Sequence, residues 1–510
     1  MLAAALSRFR PWLAFAGLLI AALAPAARAE WREVSSDHFV IYANQDEDDL
    51  RRFADRLERF HGAMALRYPS QAFKPSPSNR VMIFVVSNTQ EVRKLGAFKG
   101  GSVAGFYRPQ AGAAVAVVPK LTHTSWRSDL SSETVLYHEY AHHFMHGLSA
   151  RAFPRWFVEG FAEFFAGVRF EKDGSVGLGL PALHRSAELA YLQPMEMEYL
   201  LEYDGGASAK VSRGSFYGQS WLLFHYLMFE PSRADQLTTY QAELAKGTPA
   251  VPAARLAFGD LQRLANDLER YQGRRMLAYM KYPGSLIQTG SIAVRTLRPG
   301  EAEMMPVRMV SRLGVTTEEA LKLLPEAQQV AARHPGDPAV LAALAEAEYD
   351  AGNDDAAMAA ADRALALNPK EIDAHIQKGH AMFHKAQADS LATAETWRAV
   401  RSQYVRANQV ENDHPIPLVQ FYAAYRAAGE APPQNAIDGL EWAMVLAPYD
   451  PNLRWMVAQQ MIGDGRLADA ARTLGPLAYS PHGGKDTEQA LKLLKDVEAR
   501  IAEKGAEANP

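Results

Sequence analysis

Residues 134–147 read TVLYHEYAHHFMHG and place four histidines and one glutamate within nine positions, His138 to His146. In that run His138, Glu139 and His142 form H-E-x-x-H. On a helix, positions i and i+4 lie one turn apart on one face. The imidazoles of His138 and His142 can therefore both reach one tetrahedral ion at ~2.0–2.1 Å. Glu139, beside the first of them, is then placed to take a proton from a metal-activated water. Such a site needs a third protein ligand and one open position. Glu159 follows 17 residues after His142, inside WFVEGFAEFF. That spacing lets one helix end near Gly147 and a second pack back against it. The second helix is strongly apolar, with Trp156, Phe157, Phe161, Phe164 and Phe165, and a lone carboxylate there is costly unless its charge is matched. Glu159 and Glu163 share one face of it, a turn apart. A metal would neutralise the first, and the second could accept the N–H of a ligating histidine.

His143 follows a ligand directly and points about 100° away from it on the helix. His146 lies a turn beyond His142, nearer the metal face. A fourth protein ligand would close the position that catalysis needs, so structural or rim roles are expected of both. Downstream, SFYGQSWLLFHYL offers Tyr217, with Gln219 and His225 close in sequence, as a donor to a developing oxyanion. Tyr217 is the expected donor, against the alternative of a core aromatic. His225 is expected to be buried and satisfied. The stretch GAAVAVVP, Gly112 to Pro119, reads as a strand: either an edge that pairs with an extended peptide or an ordinary member of a sheet.

Together, HEYAH and WFVEGFAEFF resemble the gluzincin metallopeptidases, the branch that contains thermolysin and the zinc aminopeptidases. The resemblance covers about half of the chain, Trp31 to Tyr282. It implies an α+β zincin-like metallopeptidase domain, a small mixed sheet plus active-site helices. It also implies His138, His142 and Glu159 as ligands of one zinc ion per chain and Glu139 as general base. Met145 and Leu148 stand three and six places after His142, so the H-E-x-x-H-x-x-G-x-x-H continuation of metzincins is missing. The G-x-M-E-N pattern of zinc aminopeptidases is missing too, which favours endopeptidase action.

Several elements must position these residues. WREVSSDHFVIYAN reads as a strand and DEDDLRRFADRLERFHGAMALRY as a helix behind an acidic first turn. RVMIFVVSN and AAVAVVP read as further strands, with a glycine-rich loop or hairpin between them. Ser131 and Ser132 are candidate N-caps of the histidine helix. Residues 30–130 are thus expected to form an α/β part and 131–282 a helical catalytic part. Residues 283–315, with SIAVRTLRPGEAEMMPVRMV, read as a β-like linker. From 316 to 505 the chain turns to alanine-rich helix pairs. Pro335 and Pro369 are 34 residues apart, and Pro415, Pro448 and Pro481 follow at steps of 33. With glycines in YDAGNDDAA and MIGDGRLADAA, this resembles tetratricopeptide repeats, about four of them, forming an α-helical solenoid.

The chain has 510 residues, enough for two or three domains. Its net charge of −4, with no basic run, argues against a nucleic-acid binder. Residues 1–29 read as a signal peptide: Arg8 and Arg10, an apolar stretch, then Ala-Arg-Ala ending at Ala29. The apolar run is shorter than the ~20 residues a span needs, so cleavage is expected rather than anchoring. The expected function is that of a periplasmic or secreted zinc metallopeptidase acting on a peptide or protein. Its repeats would dock a protein partner, and no membrane span would remain after cleavage. The competing expectation is a non-catalytic envelope scaffold or assembly factor that works through the repeats.

Overall fold

A computed structural model describes residues 30–71, 74–98, 103–112, 114–120, 131–148, 152–203, 215–480 and 485–508. The expected leader, residues 1–29, lies outside them. The first half is built on a six-stranded sheet of β1 (Arg32–Ser35), β2 (Phe39–Ala43), β3 (Val81–Val86), β4 (Phe106–Arg108), β5 (Val115–Pro119) and β9 (Ala293–Thr296), in the order β4-β5-β3-β2-β1-β9. Strands β2, β3 and β5 run parallel, and the outer pairs are antiparallel. The parallel strands are near-continuous apolar runs, as strands covered on both faces must be. Phe39, Ile41, Ile83, Ala116 and Val118 face the core with α1 (Glu47–Arg67). Val40, Tyr42, Phe84 and Val117 face the opposite way. In α1 the spacing of Leu50, Phe53, Leu57, Phe60 and Met64 buries all five, and Asp46 caps the helix.

After the short α2 (Thr89–Leu95), the helices α3 (Ser132–Leu148), α4 (Arg155–Ala166), α5 (Ser186–Tyr191), α6 (Met197–Glu202), α7 (Phe216–Phe229), α8 (Gln236–Ala245), α9 (Ala250–Phe258) and α10 (Leu261–Gln272) follow. A small antiparallel sheet of β6 (Val168–Phe170), β7 (Val176–Leu178) and β8 (Met280–Tyr282) lies among them. Helices α4 and α7 touch closely at Gly160, where a Cβ would come within 2.6 Å of the Ser220 carbonyl oxygen.

Two expectations are corrected and one choice is settled. The single strand expected over WREVSSDHFVIYAN is a hairpin, because Ser36, Asp37 and His38 turn the chain and Ser35 pairs with Val40. Of the two readings of GAAVAVVP, the ordinary sheet member holds: β5 lies between β3 and β4. The stretch expected to be a β-like linker is a strand of 4 residues and then a helix of 14. Strand β9 extends the sheet beside β1 as its outermost strand, and α11 (Pro299–Arg312) starts at a proline, whose fixed φ suits a first helical turn. Met305, Met309 and Leu313 then cover the second face of the sheet.

The helical array continues with α12 (Thr317–Arg333), α13 (Pro338–Asp350), α14 (Asp354–Leu367), α15 (Ile372–Ala388), α16 (Ala394–Val410), α17 (Pro415–Ala427), α18 (Gln434–Leu446), α19 (Pro451–Gly463), α20 (Leu467–Ala478) and α21 (Lys485–Ala508). Four pairs, α13/α14 to α19/α20, make a tetratricopeptide-like solenoid. Pro338, Pro415 and Pro451 open three first helices behind the caps Asp337, His414 and Asp450. Gly352 and Gly465 sit in the tight helix–helix turns at φ +82° and +74°, a region that only glycine enters freely. Much of the long step from Pro369 to Pro415 comes from helix length. Helices α15 and α16 are 17 residues each, against 13 and 14 for α13 and α14.

The array does not stand clear of the first half. Val419, Tyr422, Leu440 and Val457 share one apolar core with Phe60 and Phe144. The Ser76 hydroxyl and the Asn79 amide both donate to the Asp413 carbonyl, and Ser78 donates to the Glu411 carboxylate. No helix among the described residues is long and apolar enough to cross a membrane.

Candidate metal centre

Helix α3 begins where the Ser131 hydroxyl accepts the Thr134 N–H at 3.0 Å. Its regular course puts His138 and His142 a turn apart with their Nε2 atoms 3.1 Å from each other. Helix α4 brings in Glu159, whose Oε2 is 3.3 Å from His138 Nε2 and 3.5 Å from His142 Nε2. Glu159 is fully buried, and neither of its oxygens has a hydrogen-bond partner. Three ligand atoms held about 2.1 Å from one tetrahedral ion stand about 3.4 Å apart, which is the spacing found here. The donor set of two nitrogens and one carboxylate suits zinc. The residues therefore fit the ion that the resemblance implies.

Glu163, one turn on from Glu159, holds His138 from behind. Its Oε1 is 3.3 Å from His138 Nδ1. The same carboxylate is gripped by His184 Nε2 at 2.6 Å and by Arg185 at 2.5 and 3.0 Å. Burial alone would raise the Glu163 carboxyl; His138, His184 and Arg185 outweigh it and hold the group well below the usual carboxylate range. Burial also opposes charge on His138, yet Glu163 and Glu159 together raise its pKa to about 10 in the metal-free site. Glu159 is likewise held low against burial by the two histidines. A fully buried carboxylate pair thus stays ionised on an aromatic-rich helix because cationic groups surround it.

These groups form one side of a cleft of about 240 Å³ that Glu139 and Tyr217 also line. Val103, Ala104 and Gly105 line it as well, with Thr134 and Val135 from the first turn of α3. The Arg185 guanidinium lies 4.7 Å from the Tyr217 ring centre. Burial and then Glu159 raise the Tyr217 phenol, so it keeps its proton.

His143 faces away, its Nδ1 2.6 Å from the Tyr107 hydroxyl, and is half-buried. His146 does not line the cleft. His225 is satisfied by the Gly179 and Ala278 carbonyls and the Tyr271 hydroxyl, and Gln219 accepts from the Met195 N–H. The sequence reading missed His184 and Arg185. They occupy a short turn ahead of α5, where no periodicity singles them out. The one available signal is an adjacent His-Arg pair shortly after an apolar helix that carries two carboxylates.

Residues 338–381 match a tetratricopeptide repeat model. No curated protein sequence matches the chain. Among solved structures, a thermophilic tetratricopeptide protein of Thermus thermophilus is 20% identical, with 40% of this chain and 97% of that one covered, at a TM-score of 0.31. The pilF protein of Pseudomonas aeruginosa is 11% identical, with 42% and 95% covered and a TM-score of 0.31. Yeast Tom70 is 13% identical, with 61% and 66% covered and a TM-score of 0.27.

Proposed function

We propose that the chain is an exported zinc-dependent peptidase whose helical repeats dock a protein partner. One observation carries this reading: two imidazole nitrogens and a buried carboxylate oxygen without a hydrogen-bond partner converge at 3.1–3.5 Å beside a cleft. Zinc bound there would supply Lewis acidity toward a water and a substrate carbonyl. The remaining work falls to the chain. Glu139 accepts a proton from the attacking water and returns it to the leaving amide nitrogen. Glu163 takes the Nδ1–H of His138 and so presents Nε2 as the ligand atom. His184 and Arg185 fix Glu163. The Tyr217 hydroxyl donates to the carbonyl oxygen as negative charge grows on it. Val103, Ala104 and Gly105 narrow the cleft and limit water.

The test pairs two measurements on the mature chain. Metal analysis should find one zinc in both wild type and Glu139→Gln. A peptide library should be cut by wild type alone. A chain that binds no metal, or a Glu139→Gln variant that cuts as fast as wild type, defeats the proposal. Export is part of it and is read from the N-terminus of the mature protein, expected at Glu30.

The repeat match at residues 338–381 favours a second reading, an envelope scaffold that binds its partner through the array without turnover. In that case cells carrying Glu139→Gln keep full function.

A further inference from the structure

The corner between α18 and α19 reaches the back of the histidine helix. Tyr449 packs tilted against His143, ring centres 4.4 Å apart at 37°. Tyr140 stacks with the same imidazole at 5.5 Å and 23°. The Tyr107 hydroxyl meets its Nδ1 at 2.6 Å. His143 directly follows His142, and Tyr107 belongs to the edge strand β4, which runs on from the cleft wall at Val103–Gly105. The next residue, Asp450, works in two directions. Its Oδ1 caps α19 through the Leu453 N–H at 2.9 Å, and its Oδ2 accepts the Ala111 N–H, in the turn after β4, at 2.6 Å. That turn is pressed against the start of α17: a Cβ on Gly112 would come within 2.9 Å of the His414 ring. One corner of the repeat array therefore touches helix α3, which carries the ligands, and strand β4, which continues from the cleft-lining residues Val103–Gly105.

We propose that Tyr449 and Asp450 are positioning residues of the candidate metal centre, so that the repeat array is a structural part of the cleft and not a detached docking arm. The consequence at the ligands rests on the zinc reading; the grip itself does not. A partner that shifts the α18–α19 corner would move helix α3 and the segment leading from Val103–Gly105 into β4 together. Surfaces left for a partner must lie away from this corner, which the first half of the chain already covers.

The contact is made by the Tyr449 ring, whose hydroxyl has no hydrogen-bond partner. Tyr449→Phe should therefore behave as wild type. The experiment compares the full chain with Tyr449→Ala, Tyr449→Phe and, as a control elsewhere on the same seam, Ser78→Ala. Two readouts are used: hydrogen exchange of metal-free protein, and cobalt binding followed by chelator competition and the electronic spectrum. Tyr449→Ala should speed exchange over residues 138–147 and 103–105 by about tenfold, weaken cobalt binding and alter its spectrum. Tyr449→Phe and Ser78→Ala should match wild type in both. Unchanged exchange in α3 overturns the inference, as does an equal response to Ser78→Ala, which would mean a loosened seam of no special place. If Tyr449→Ala does not fold, Tyr449→Leu, which keeps bulk and drops the ring, takes its place. Should wild type take up no cobalt while exchange still responds, the peptidase reading fails and the grip stands.

Discussion

Replacing Glu159 by Gln separates a metal ligand from an ordinary buried acid. The carboxylate has no hydrogen bond to lose. In the metal-free chain it contributes attraction to His138 at 3.3 Å and His142 at 3.5 Å, and His138 keeps Glu163 when it is gone. The cost to the stripped protein should be about 1–3 kcal/mol. The metal-dependent term is different. Free zinc at a hundred times its dissociation constant stabilises the native state by about 2.7 kcal/mol, or about 5–10 °C for a unit of this size. Wild type should show that rise when chelator-stripped protein is reloaded and melted in a calorimeter. Glu159→Gln should show almost none, whereas Glu139→Gln, which contributes no ligand atom, should show all of it. If zinc lifts Glu159→Gln as much as wild type, the three side chains do not share an ion and the mechanism built on them falls.

Three further outcomes are expected. Gly160→Ala drives a Cβ to 2.6 Å from the Ser220 carbonyl oxygen and 3.0 Å from Phe224 Cβ; it should lower stability by about 1–3 kcal/mol despite better helix propensity, as read from denaturant melts. Tyr217→Phe should reduce kcat on any peptide the wild type cuts by about 10²–10³ with KM little changed; a proportional rise in KM would assign Tyr217 to substrate binding instead. Burial holds the His225 ring at about 4, below its ordinary value. The unfolded chain therefore binds the extra proton as pH falls from about 6.5 to about 4, and up to about 3 kcal/mol of stability is lost across that window; melts of His225→Gln should be flatter there.

The site was more legible than the sheet. His138, Glu139 and His142 owe their arrangement to one helix, and a period of 3.6 residues is written locally. Glu159 could be placed because a short loop and a second apolar helix leave few ways to fold back. The proline spacing and turn glycines of the repeats are local devices as well. What escaped was pairing at a distance. Nothing near residues 291–310 says that Ala293–Thr296 will lie beside Arg32–Ser35, or that the methionines after Pro299 will cover Tyr42 and Phe84. The choice of β4 over β5 as edge follows from strand order, which alternation does not encode. His184 and Arg185 reach Glu163 from a turn without regular spacing, so their role shows only in three dimensions.

Because β9 is the outermost strand beside β1, synthesis must reach residue 296 before β1 acquires its outer neighbour. Until then the emerging chain carries an open hydrogen-bonding margin along Arg32–Ser35, the kind of margin that recruits stray strands. A fragment cut at residue 282, where the histidine-bearing half would seem to finish, keeps that margin for good and also strips Met305 and Met309 from the apolar face they cover. Such a fragment should aggregate, and the shortest soluble product should extend at least through Arg312.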